Sequence, residues 1–194
     1  MPELVQPTLF NSEGGRKYLC DSETRDFIAA ADDAAEEATR LFCVLLAFTG
    51  CRISEALALT PSQLDRATGR VVLRTLKRRS RVFRAVPVPA KLMVALITFA
   101  AGTAAESRIW EWSRPTAWRR VKEVMALAGI TGPQAMPKGL RHGFGCANAE
   151  NNVPMATTQK WLGHASLETT AIYQQAVGTE ERAFAKRLWQ RWQG

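Results

Sequence analysis

Apolar residues recur at three- and four-residue spacing along most of this chain, and the pattern breaks only in its middle third. A first helix is expected over 21–31, with Asp21 and Ser22 as its capping residues. A second begins near Asp33, carries Glu36 and Glu37 at its positive end, and presents Leu41, Val44, Leu45 and Phe48 as an apolar stripe. Gly50 ends it, and "RISEALAL" (52–59) reads as a third short helix stopped by Pro61. The period then changes. "GRVVLRTL" and "SRVFRAVPV" alternate β-branched with basic residues around a "KRR" tip, which predicts an antiparallel hairpin.

Helical spacing returns in "PAKLMVALITFAA" (89–101), and "RIWEW" (108–112) reads as a short strand. A helix follows over 113–130, with Trp118, Val121 and Met125 expected inward and Arg119, Arg120 and Lys122 outward. Four more are expected at 138–150, 154–162, 166–176 and 179–192, with Pro154, Ser166 and Thr179 as starts for the last three. Residues 1–18 hold two prolines and "EGG" and read as an irregular N-terminal arm. The fold class is therefore mainly α with a small antiparallel β-sheet, in a single domain over 19–194.

Charge sharpens this picture. Against 18 Asp and Glu stand 26 Lys and Arg, a net charge of +8, which favours a polyanionic partner, nucleic acid before an acidic membrane surface. The N-terminus has no signal-peptide pattern, and the longest apolar run, "LFCVLLAF" (41–48), is too short to span a bilayer. Cys20, Cys43, Cys51 and Cys146 lack metal-ligand spacing and read as free thiols; two lie in strongly apolar surroundings. With only two histidines, no metal site is expected. A cytoplasmic protein is expected.

The densest chemistry lies in "PKGLRHGFG" (137–145), where Lys138, Arg141 and His142 crowd between a proline and two glycines. Arg52 follows the turn "TGC", Lys77 sits at the hairpin tip, His164 follows a tight "LG", and Tyr173 comes nine residues later. Each alone has an ordinary reading as a solvated or core residue.

Together, "TGCRISEALAL", the hairpin lysine, "KGLRHGF", "LGHAS" and "TTAIY" resemble the catalytic domain of the tyrosine recombinases, the phage-integrase family, in order and in spacing. The resemblance runs from about residue 19 to 178. It implies that Arg52 and Arg141 clamp the non-bridging oxygens of a DNA phosphate, a task suited to a permanently charged, bidentate guanidinium. It implies Tyr173 as the nucleophile that forms a 3′-phosphotyrosine, with no metal or other cofactor, and His164 as a hydrogen-bond partner of the phosphate. Lys77 would protonate the leaving 5′-oxygen, or else only contact phosphate. Glu55, one turn after Arg52, would orient its neighbours, or else be an exposed helix acid.

The chain departs from the family at Lys138, where histidine is usual. Lysine there is expected to act through its charge rather than as a neutral base. His142 is expected to support the site rather than to react.

Arg74, Arg78, Arg79, Arg81 and Arg84 on the hairpin and Arg114, Arg119, Arg120 and Lys122 near the 113–130 helix are expected to contact the DNA backbone. Only about 18 residues precede the resemblance, where most family members carry an N-terminal DNA-clamping domain, so a minimal member or an excised catalytic domain is expected. An accessory DNA-binding protein or cooperative assembly would then compensate. Phe184, Leu188 and Trp192 give the last helix an apolar edge that packs on its own core or on a neighbouring protomer of a tetrameric synapse.

The expected function is site-specific recombination of double-stranded DNA on the nucleoid. A type IB topoisomerase-like activity or a catalytically inactive DNA-binding regulator are the alternatives. A Mg²⁺-dependent nuclease is disfavoured because the motifs bring no carboxylate cluster.

Overall fold

The computed structural model describes residues 8–75, 82–175 and 179–193. Helices α1 (Asp21–Asp32), α2 (Glu37–Thr49) and α3 (Ile53–Leu57) lead through a 3₁₀ turn at Pro61–Gln63 into a three-stranded sheet. Its strands are β1 (Leu64–Asp65), β2 (Arg70–Thr75) and β3 (Val82–Pro87), all antiparallel in that order. Then come α4 (Ala90–Phe99), α5 (Arg114–Leu127), α6 (Pro137–Glu150), α7 (Met155–Leu162), α8 (Glu168–Ala171) and α9 (Thr179–Gln193). The mainly helical class with one small sheet is as the residue pattern predicts.

α2 is the centre of the molecule. Its apolar residues are not confined to a stripe: Leu41 to Ala47 are all buried, and Phe48 is only partly so. A helix apolar on all sides belongs between other helices, and α1, α4, α5 and α6 surround it. The main core joins these helices to the inner face of the sheet, through Val71, Leu73 and Val86. A second, smaller core of Leu9, Cys146, Leu162, Ile172 and Tyr173 lies where α6 and α7 meet the turn after α8.

Several local expectations are corrected. α1 is capped by Cys20, not by Asp21 or Ser22, and Glu23 reaches back to the Cys20 N–H at 2.9 Å. α2 starts at Glu37 rather than near Asp33. The stretch 108–112 forms no strand. Ile109 and Trp110 are buried in succession rather than in alternation, and each is pinned separately: the Ile109 N–H donates to Leu59 O and the Trp110 indole to Ala38 O. Trp118 does not face the core. The buried face of α5 is Ala117, Val121, Val124 and Met125, and Trp118 lies one residue round from it, 44 % exposed. The expected 166–176 helix is a four-residue α8 that tightens into a 3₁₀ turn at Ile172–Gln175. Three thiols, those of Cys43, Cys51 and Cys146, are buried, one more than the apolar context implied.

Residues 8–18 make a tight turn bridged at Phe10 and Arg16, with Leu9 in the second core. No helix among the described residues is long and apolar enough to cross a membrane.

Candidate active site

Arg52 owes its position to the end of α2. Gly50 closes that helix at φ 57°, where a side chain would strain the backbone and also strike the Phe144 ring at 2.6 Å. The chain then restarts as α3 with Arg52 as its N-cap. Glu55, in the first turn, accepts from the Arg52 N–H (2.9 Å) through one carboxylate oxygen and from Arg52 Nη1 (2.8 Å) through the other. The acid expected to be either an orienting group or an exposed helix residue is 1 % exposed and holds the guanidinium.

The other partner of Glu55 overturns an expectation. Arg84, expected to contact DNA, is 6 % exposed and donates from Nη2 to Glu55 Oε2 at 2.6 Å, from Nη1 to Thr75 Oγ1 and from Nε to Trp161 O. The cause is register. Val86 and Leu73 face the core, Leu73 pairs with Arg84, and a period of two then forces Arg84 inward with Val86. Burial alone would raise the Glu55 carboxyl. The hydrogen bond and charge of Arg84, aided by Arg52, hold it below the usual carboxylate range instead.

Arg141 lies on the second turn of α6, 8 % exposed. Its Nη1 donates to Gly50 O (2.8 Å) and its Nη2 to Leu162 O (2.7 Å). Those carbonyls end α2 and α7, so the guanidinium sits at two negative helix termini. Burial, reinforced by Arg52, lowers its pKa to about 10.

His164 follows Gly163, which caps α7 at φ 65° and lies against the Arg84 guanidinium. His164 Nδ1 is 2.9 Å from the hydroxyl of buried Thr170. Burial and the fields of Arg141 and Arg52 lower its pKa to about 3, so the ring is neutral. Its plane lies nearly parallel to Tyr173, 19° apart, with centroids at 6.1 Å.

Tyr173 is 1 % exposed in the second core, over Gly145, where a Cβ would stand 2.5 Å from Cζ. The phenol oxygen is 3.1 Å from Nδ1 of His142. Burial raises the Tyr173 pKa to about 12, against the pull of Arg141 and Arg52. His142 is pushed down to about 4 by burial, then by Lys138, Arg141 and Lys17. Lys138 itself is exposed in the first turn of α6.

The sequence-predicted residues therefore converge in part. Arg52, Glu55, Arg141, His142, His164 and Tyr173 form one connected cluster. Lys77, Arg78, Arg79 and Arg81 lie outside the described residues, but the strand ends flanking them, Thr75 and Val82, border a cleft shared with Phe83, Lys160 and His164. Arg74, Arg114 and Arg119 are exposed. Arg120 is partly committed to Glu36 and Glu123. Lys122 is half-buried, and its Nζ donates to Ala135 O at 2.7 Å across the loop before α6. Thr75 and Thr170 were missed. Neither carries a motif of its own, although Thr170 belongs to the quoted "TTAIY". No group of three or more His, Cys, Asp or Glu able to hold a metal occurs among the described residues.

Comparison with known proteins decides the family. The model described as "Phage integrase family" matches residues 17–179. The chain belongs to the phage integrase family. It is 27 % identical over 187 residues to the tyrosine recombinase XerD of Haemophilus ducreyi, covering 89 % of this chain and 62 % of that protein. It is 31 % identical over 175 residues to the tyrosine recombinase XerC of Stutzerimonas stutzeri, covering 86 % of this chain and 55 % of the relative. It thus spans a little over half the length of these relatives. Among solved structures it resembles XerH recombinase in a post-cleavage complex with difH substrate (TM-score 0.79, 20 % identity, 96 % of this chain and 58 % of the other). It also resembles the catalytic domain of bacteriophage HP1 integrase (TM-score 0.66, 22 % identity, 88 % and 93 %). Those likenesses establish the phage integrase catalytic fold.

Proposed function

We propose that this chain cuts and rejoins double-stranded DNA at specific sites through a covalent 3′-phosphotyrosine. The observation that carries the reading is the meeting of Tyr173 with His164, Arg141 and Arg52 in one cluster built from four separate elements. Tyr173 Oη attacks the phosphorus, the bond to the 5′-oxygen breaks, and the transferred phosphate keeps its bond energy for religation. Arg52 and Arg141 stabilise the charge that gathers on the non-bridging oxygens. Arg141 has used two N–H groups on helix-end carbonyls, which aims the remaining three, and Glu55 holds Arg52 alongside. Neutral His164 donates from Nε2, because its Nδ1 accepts the Thr170 hydroxyl, which is buried and has no other hydrogen bond among the described residues. Lys77 supplies the proton for the leaving 5′-hydroxyl, and exposed Lys138 adds positive charge.

The similarity to tyrosine recombinases XerD and XerC supports recombination over relaxation of supercoils. The exposed Leu188, Trp189 and Trp192 on α9 support self-assembly on DNA, up to the four protomers of a synapse. Such an enzyme works on the nucleoid.

The test is incubation with DNA in EDTA followed by denaturation. The expected result is a covalent protein–DNA adduct that Tyr173→Phe abolishes while still binding DNA. Cleavage that requires a divalent metal, or that survives Tyr173→Phe, would refute the reading.

A further inference from the structure

The phenol of Tyr173 has one hydrogen-bond partner among the described residues, and it belongs to neither arginine of the clamp. It is Nδ1 of His142, at 3.1 Å. Direction follows from counting protons. Tyr173 is 1 % exposed and its hydroxyl is protonated, so its hydrogen needs an acceptor, which neutral His142 offers at Nδ1. His142 Nε2 then carries the ring hydrogen. The other histidine cannot play this part, because His164 has committed Nδ1 to Thr170 and stacks on the tyrosine ring rather than meeting its oxygen. Lys138, at the position where the family resemblance leads one to expect histidine, is exposed one helical turn before His142.

We propose that His142 is the general base for Tyr173 in the cleavage reaction, taking the phenolic proton on Nδ1 as Oη attacks the phosphate. This rests on the recombinase reading above. The phenolic proton moves to Nδ1, the Oη–P bond forms, the P–O5′ bond breaks, and the leaving oxygen takes its proton from Lys77. On religation the 5′-hydroxyl gives up its proton to Lys77, and the His142 imidazolium returns its own to Oη. Atoms and charge balance without a further reactant.

The surrounding charges couple this base to substrate. Burial weakens His142 as a proton acceptor, Lys138, Arg141 and Lys17, which face it, weaken it further, and Arg141 belongs to the phosphate clamp. A bound phosphate offsets these cations, so the imidazole becomes more basic when there is a bond to cut. His142 is only partly buried, so the pair lies at the margin of the second core.

The test uses the full chain and a nicked duplex that traps the adduct, with single-turnover rates measured across pH 5.5–9.5 for wild type and His142→Gln. Wild-type cleavage should rise and level off as the imidazole loses its proton. His142→Gln should bind DNA with unchanged affinity, cleave about a hundredfold more slowly near neutral pH, and keep accelerating towards the phenol's own range. Replacing Tyr173 with a more acidic fluorotyrosine should shrink that deficit by about tenfold, which a packing defect would not do. An unchanged pH profile in His142→Gln, a deficit that fluorotyrosine leaves intact, or faster cleavage that marks the bond as a restraint would each overturn the assignment while the recombinase reading stands. No adduct from the wild type would overturn both.

Discussion

Arg141 shows how a buried cation is afforded in this fold. It stands at the carbonyl ends of two helices, which hold it without neutralising it, whereas a carboxylate partner would cancel the charge that the proposed phosphate clamp requires. Nearby histidines take the opposite course and remain neutral. Both His142 and His164 have pKa values far below that of a free imidazole, about 4 and about 3. The unfolded chain therefore binds more protons than the native one between about pH 6.5 and pH 4, and stability falls as pH drops through that window. The slope is at most about 1.4 kcal/mol per pH unit for each histidine, and urea midpoints of His164→Gln should show a correspondingly shallower fall. An equal slope in wild type and variant would contradict the neutral assignment. In the proposed mechanism Thr170 fixes the tautomer of His164. Thr170→Val should slow adduct formation about tenfold and Thr170→Ser should retain it, measured at saturating DNA so that affinity does not intervene.

Among the elements, β3, α3 and α7 are joined by a single side chain. Arg84 bonds to Thr75 at the root of the hairpin tip, to Glu55 beneath Arg52, and to the Trp161 carbonyl close to His164. Removing it leaves Glu55 buried with half its partners, so Arg84→Leu should cost about 3–5 kcal/mol by urea unfolding. Loss of a proposed contact to the DNA backbone should behave differently. Arg119→Ala should leave stability alone and reduce the salt dependence of DNA binding by about one ion, a change Arg84→Lys should not produce. This contrast also marks where sequence reading runs out. The hairpin is legible from β-branched alternation, but "VFRAV" does not say which alternate residues face inward. Only pairing of Leu73 with Arg84 across the sheet decides that. Likewise the helical spacing of α5 was visible, yet its buried face turned on Ala117, a small residue that permits close approach and carries a weak apolar signal.

Over the whole molecule, the residues that meet around Tyr173 come from positions 52 to 173. Their convergence could be inferred only from ordered motifs resembling a family, not from any local pattern. The glycines of "PKGLRHGFG" make sense at this scale as well: Gly143 lets α6 pass the Leu19 backbone, and Gly145 leaves room for the tyrosine ring. The partner relations His142–Tyr173 and Thr170–His164 depend on where a 3₁₀ turn follows α8, which no spacing rule announces. Assembly belongs to this scale too. A Leu188→Asp, Trp192→Ser double variant should bind DNA as a single copy but lose the higher complexes that wild type forms, as read by gel mobility.

In the proposed reaction Tyr173 becomes joined to DNA at chosen places. The most direct measurement is to express the chain, lyse under denaturing conditions, recover the protein and sequence the DNA attached to it, beside Tyr173→Phe. Adducts at a few discrete sites that vanish in the variant are expected. Tyr173-dependent adducts scattered over all DNA would contradict site-specific recombination, and DNA binding with no adduct at all would contradict catalysis.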